Sequence, residues 1–137
     1  VKSVGLDEIF NASDFVVCAV SLTGETRHLV TYKELSKMRH CAFLINISRG
    51  PVVKEDDLVR ALKEKKIAGA CLDVYEFEPK VSKKLLAMRN VVLTPHIGSA
   101  TREARGDLIL KAARIVMSAL ETGQCENMVN SEYLKRL

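Results

Sequence analysis

The chain has 137 residues, 47% apolar and 28% charged, with 21 Lys plus Arg against 17 Asp plus Glu for a formal net charge of +4. That is about one small domain, with the composition of a folded chain rather than a disordered one. The charges are dispersed, so neither a nucleic-acid arm nor a membrane-surface patch is expected, and no apolar run reaches the roughly 18 residues of a spanning helix.

Apolar runs alternate with amphipathic stretches. Asp14–Val20 reads as a buried strand. Thr31-Tyr32-Lys33-Glu34 has the form of a capping box opening a short helix, whose apolar face holds Leu35 and Met38. Ala42–Ile47 is a second strand-like run, broken by Ser48-Arg49-Gly50-Pro51. The next helix is predicted over Glu55–Lys66, with Leu58, Val59 and Leu62 on one side and its acids ahead of its lysines, as the helix dipole favours. Ile67–Val74 is a third strand. Asn90–His96 is a fourth, ended by Pro95. The longest helix runs from near Thr101 to Thr122, with Leu108, Ala112, Ile115 and Ala119 on one face and Gly123 as its cap.

Short apolar strands separated by helices predict an α/β fold: a parallel sheet with helices on both faces. Ligands of such sheets bind beyond the carboxyl ends of the strands, and Arg49, Asp73 and His96 all fall at or just past such an end. A guanidinium at Arg49 suits a two-pronged hydrogen bond to a small carboxylate, and an imidazole at His96 suits proton transfer near neutral pH. Glu78 near His96 would orient the ring and favour its protonated form. Taken singly, each residue has a plainer reading: a surface ion pair for Arg49, a loop histidine for His96, a solvated acid for Glu78 and a turn cap for Asp73. His28 and His40 lie in polar segments, are expected to be exposed and receive no role.

Cys18, Cys41 and Cys71 have small or apolar neighbours and read as buried thiols of a reducing compartment. No pair, Cys125 included, has CxxC spacing, so no metal site is expected. No two of the seven glycines are separated by a single residue. The chain therefore contains no GxGxxG phosphate loop, and it has no P-loop, HExxH or GxSxG motif either. If it serves a dinucleotide, the pyrophosphate cradle lies outside it.

Ser21-Leu22-Thr23-Gly24-Glu25-Thr26, Ile45-Asn46-Ile47-Ser48-Arg49-Gly50, Leu72-Asp73-Val74-Tyr75-Glu76-Phe77-Glu78-Pro79 and Thr94-Pro95-His96-Ile97-Gly98-Ser99-Ala100-Thr101 follow one another in the chain. Together, from Leu6-Asp7-Glu8 to Met128-Val129-Asn130, these stretches closely resemble the C-terminal part of the D-isomer-specific 2-hydroxyacid dehydrogenases. Arg49 precedes Glu78 by 29 positions and Glu78 precedes His96 by 18, a spacing similar to that of the family's catalytic Arg, Glu and His. Ser21 departs from the family's commoner proline, and the Ser-Leu-Thr and Asn-Ile-Ser-Arg-Gly forms look like glyoxylate/hydroxypyruvate reductases in particular.

The resemblance implies part of a Rossmann-like, doubly wound domain. Residues 1–100 would be the second half of the dinucleotide-binding domain, 101–122 a long crossover helix, and 123–137 a tail returning to a largely absent substrate domain. The chain would then be a fragment, inactive alone, of an enzyme moving hydride between NAD or NADP and a small 2-keto or 2-hydroxy acid. Arg49, Glu78 and His96 are the implied catalytic residues. Ser21, Ile47, Ser48, Arg49, Asp73, His96, Gly98 and Ser99 are the implied cofactor contacts, with Asp73 facing the nicotinamide carboxamide. A cytoplasmic enzyme, homodimeric when complete, is implied. A dinucleotide-sensing corepressor built on the same fold and a non-catalytic interaction fragment are the alternatives.

Overall fold

A computed structural model describes residues 2–123, 125 and 127–129. The chain divides into two compact units, Val1–Gly98 and Ser99–Leu137. The first is built on a four-stranded sheet of β1 (Phe15–Cys18), β2 (Phe43–Asn46), β3 (Gly69–Leu72) and β4 (Val91–Leu93), in the order β1-β2-β3-β4. Every neighbouring pair is parallel. The parallel α/β sheet expected from the alternating pattern is therefore present, and each predicted strand contains an observed one.

Register decides which side chains share a face. Val16, Leu44, Ala70 and Val91 align across the sheet, as do Cys18, Asn46, Leu72 and, on the last pair, Leu93. This face forms the core together with Phe10 of α1 (Leu6–Ala12), Leu35 of α2 (Tyr32–Leu35), Leu58 and Leu62 of α3 (Glu55–Lys63) and Leu85 of α4 (Lys83–Leu86). Side chains alternate between faces along a strand, so Phe15, Val17, Phe43, Ile45, Cys71 and Val92 belong to the opposite face. There the Phe15 and Phe43 rings stack with centroids 5.8 Å apart. Phe15 and Val92 remain 64% and 61% exposed. Among the described residues of this unit, helices thus cover one face, because the apolar stripes of all four helices join a single core.

Local chemistry accounts for the element ends. The capping box at α2 forms as predicted: Thr31 Oγ1 accepts from Lys33 N, and Glu34 Oε2 accepts from Thr31 N. α3 stops at Lys63 rather than Lys66, and the chain turns through Lys65 at φ 54°. α1 and α4, which the periodicity did not indicate, span seven and four residues, and Ser82 caps α4 by accepting from Lys84 N.

In the second unit, α5 (Arg102–Thr122) is capped by Thr101, which accepts from Ala104 N, and by Gly123 in the left-handed conformation at φ 71°. Its predicted face is not buried: Leu108 is exposed, and Ile115 and Ala119 are half-buried. Of the expected tail over 123–137, residues 124, 126 and 130–137 lie outside the described residues. All four cysteines are free. Cys18 is buried as expected, whereas Cys41 is exposed and Cys71 is half-buried, because Cys41 precedes β2 and Cys71 points to the open face.

Candidate active site at the carboxyl edge of the sheet

The parallel register brings the carboxyl ends of β2, β3 and β4 side by side. Arg49 follows β2 by three residues, Asp73 follows β3 directly, and His96 follows β4 by three. The three positions read from the sequence thus share one edge.

Asn46 shapes the turn that carries Arg49. Asn46 is 1% exposed. Its Oδ1 accepts from Ser48 N and Ser48 Oγ at 3.1 and 3.0 Å, and its Nδ2 donates to Arg49 O at 3.1 Å. This is an Asx turn that gives both polar atoms of a buried amide a partner. The Ser48 hydroxyl is accordingly committed to Asn46, while Ile47 is exposed. Arg49 Nη1 donates to Ser48 O at 2.7 Å.

After Arg49 the chain enters a 3-10 turn, Gly50–Val52, whose first residue meets the loop after β3. A Cβ on Gly50 would lie 1.8 Å from Tyr75 O and 2.5 Å from Glu76 N. Glycine therefore sets the spacing between the Arg49 segment and the Asp73–Pro79 loop.

Asp73 is buried and clasps the loop after β4. Its Oδ1 accepts from Thr94 Oγ1 at 2.6 Å and Ile97 N at 2.8 Å, and its Oδ2 accepts from Gly98 N at 2.8 Å. Burial acts to raise the Asp73 pKa, but these hydrogen bonds, helped by His96, outweigh it and hold the carboxyl below its ordinary value. Tyr75 donates its hydroxyl to Thr94 O at 2.7 Å, with Leu72 O 3.3 Å away, bracing the same loop. Burial, joined by the charges of Asp73, Glu78 and Glu55, pushes the Tyr75 pKa up, so the hydroxyl keeps its proton.

His96 sits at the head of the clasped loop with φ 53°, a backbone conformation that non-glycine residues rarely adopt and that concentrates at functional sites. Its Nδ1 lies 3.0 Å from Glu78 Oε2, and Glu78 Oε1 accepts from Tyr75 N at 2.9 Å. Burial tends to raise the Glu78 pKa. The hydrogen bonds from Tyr75 and His96, with the charges of His96 and Arg49, prevail and lower it. An ionised Glu78 only accepts, so the shared proton resides on His96 Nδ1 and leaves Nε2 for other partners.

Beside these groups Ala19, Val20, Ser21, Leu22, Ile47, Ser48 and Arg49 line a hollow past the ends of β1 and β2. Ser21 O accepts from Thr26 Oγ1 at 2.6 Å, and Thr26 bonds back to Thr23, so the loop keeps a fixed shape. Four of the expected cofactor contacts, Ser21, Ile47, Ser48 and Arg49, meet in this hollow. Ser99 opens the second unit. Asn46, Tyr75 and Thr94 were not singled out from the sequence. Of these, only Asn46 carried a signal: an amide closing an apolar strand just before a Ser.

The family model of the D-isomer specific 2-hydroxyacid dehydrogenase NAD-binding domain matches residues 1–98, and the chain belongs to that family. It is similar to the glyoxylate reductase of Thermococcus gammatolerans, with 47% identity over 131 residues, 95% of this chain and 39% of that protein. Among solved structures it is similar to a glyoxylate reductase from Paecilomyes thermophila, with 37% identity, a TM-score of 0.88, and 94% of this chain and 39% of that one covered. It is also similar to an NADPH-dependent glyoxylate/hydroxypyruvate reductase from Sinorhizobium meliloti, solved in complex with NADP and malonate. There the identity is 36%, the TM-score 0.85, and the cover 88% of this chain and 38% of that one. The chain spans about two fifths of the length of these relatives.

Proposed function

We propose that this chain supplies the nicotinamide-proximal half of a nucleotide-binding domain and the catalytic groups of a D-2-hydroxyacid dehydrogenase. That enzyme would interconvert a small 2-keto acid of glyoxylate or hydroxypyruvate type and its 2-hydroxy acid, using NAD or NADP. The observation that carries the reading is the Glu78–His96 pair, 3.0 Å apart, on the sheet edge that also bears Arg49. The complete protein is a cytoplasmic homodimer with no nucleic-acid or membrane partner in this reading. No described helix is long and apolar enough to cross a membrane.

The residues present fit the nicotinamide end of the cofactor. The hollow is of mixed character, with Val20, Leu22 and Ile47 beside the polar Ser21, Ser48 and Arg49. Asp73 accepts three hydrogen bonds of the roughly four its carboxylate can take, which leaves an acceptor for a carboxamide N–H. The pyrophosphate cradle would come from residues outside this sequence, which has no GxGxxG. When bound, the reduced nicotinamide supplies the hydride that reaches C2 of the keto acid.

Arg49 holds the substrate carboxylate with its planar fork and polarises the keto oxygen, a fixed charge that needs little reorganisation as negative charge develops there. His96 delivers a proton from Nε2 to that oxygen during reduction and takes it back during oxidation. Glu78, ionised and bonded to Nδ1, fixes the ring and leaves Nε2 for the substrate. Asp73, by holding Ile97 and Gly98, fixes the loop on which His96 stands.

A chimera tests the assignment: this chain replaces the matching segment of the Thermococcus gammatolerans glyoxylate reductase. Oxidation of NADH or NADPH is followed with glyoxylate and hydroxypyruvate. Turnover is expected. A folded chimera that binds cofactor yet reduces neither acid would contradict the proposal.

A further inference from the structure

Glu76, Glu55 and His28 form a second cluster of titratable groups. Glu76 Oε1 lies 2.7 Å from His28 Nε2, and its Oε2 accepts from Glu55 N at 2.8 Å. In return Glu55 Oε2 accepts from Glu76 N at 3.3 Å. The Glu76 side chain is 8% exposed. Lys54, at the N-cap of α3, makes no side-chain cap bond, so Glu76 serves as that cap from 21 residues away in sequence. His28 stands at φ 53°, and its backbone N–H donates to Pro51 O at 2.8 Å.

These bonds join the two segments that the proposed chemistry needs in register. Gly50 and Pro51 follow Arg49 directly, and one leans on the Tyr75–Glu76 backbone while the other is bonded to His28. Two residues beyond Glu76, Glu78 holds His96. An error of about 1 Å between a carboxylate anchor and a proton donor costs on the order of 100-fold in rate. Both oxygens of Glu76 are spent on preventing such an error: one grips α3, which leads from the Arg49 segment, and the other grips His28.

We propose that Glu76 is a positioning residue that registers the Glu78–His96 pair against Arg49 through Glu55 and His28. The catalytic half of this inference rests on the proposed dehydrogenase reading, whereas its structural half does not, and the experiment separates them. The chain has three histidines, so long-range proton–nitrogen spectra of the 137-residue chain at alkaline pH resolve which nitrogen of each neutral ring bears the proton. His96 is expected as the Nδ1–H tautomer in the wild type and in Glu76→Gln, which keeps an acceptor for Glu55 N. It is expected to shift toward the Nε2–H tautomer in Glu76→Ala, as in Glu78→Ala. Should Glu76→Ala lose the native far-UV circular dichroism, His28→Ala, which removes one arm alone, carries the same expectation. An unchanged His96 tautomer in the folded variant overturns the proposal.

In the chimera, Glu76→Ala should lower kcat for keto-acid reduction about 10- to 100-fold with cofactor Kd within about threefold, and Glu76→Gln should restore most of it. An inactive parent chimera would count against the dehydrogenase reading, and the tautomer measurement would still decide the positioning role.

Discussion

Gly50→Ala should be among the most disruptive small substitutions in the first unit. The added Cβ would lie 1.8 Å from Tyr75 O and 1.9 Å from Tyr75 C, whereas ordinary contact begins at 3.4 Å. The obstacle is backbone, so one segment must retreat by about 1.5 Å rather than rotate a side chain, and overpacking of this kind typically costs about 1–3 kcal/mol. The retreat also pulls Glu76 from Glu55, two hydrogen bonds with a net value of about 1 kcal/mol each. A total of about 3–5 kcal/mol follows, and each kcal/mol lowers the Tm of a unit this size by roughly 4–8 °C. Thermal melts of the chain followed by circular dichroism should therefore show Gly50→Ala more than about 10 °C below wild type. Gly24→Ala, whose Cβ would meet nothing within 4 Å, serves as the control. A Gly50→Ala melt within about 2 °C of that control would refute the close-approach argument.

Three further outcomes concern Asp73, the cysteines and Arg49. Asp73→Asn turns an amide N–H toward a backbone donor and should cost about 1–3 kcal/mol in urea denaturation. The Asp73 carboxyl is lowered in the folded chain, so its contribution is present above the unfolded value near 3.8 and is lost as pH falls through the folded value. The Asn variant should accordingly lose part of the wild type's decline in stability below about pH 4. Burial pushes the Cys18 thiol up to about 11, and Cys41 is exposed, so mass spectrometry after iodoacetamide treatment at pH 8 should find Cys41 alkylated and Cys18 intact until the chain is unfolded. Arg49→Lys in the chimera should cut kcat/KM severely despite the kept charge, since Lys lacks the planar fork, and an unchanged value would reject its role.

What the sequence revealed was local. Apolar runs located the strands, Thr31 with Glu34 fixed the start of α2, and Thr101 with Gly123 bounded α5, because each signal lies within a few residues of its effect. Arg49, Asp73 and His96 were found because strand ends are legible and parallel strands place them together. Relations across long separations were not legible. His28 was expected to be exposed, yet it is half-buried against Glu76, 48 residues away. Gly50 read as a strand breaker, whereas its requirement comes from the Tyr75 backbone. Asp73 was expected to face a cofactor, and its three bonds to the 94–98 loop depend on a backbone that the sequence pattern does not specify. α1 was missed because it is short and Gly5 provides no side-chain cap.

In the proposed reaction His96 moves the proton. Its direct test is His96→Ala in the chimera, with kcat for glyoxylate reduction and the Kd for NADH or NADPH measured on the same preparation. A loss in kcat of about 10²- to 10⁴-fold is expected, the usual effect of removing a positioned general acid, with cofactor Kd changed by less than about threefold. A kcat within about threefold of wild type, or a collapse of cofactor binding in its place, would contradict it.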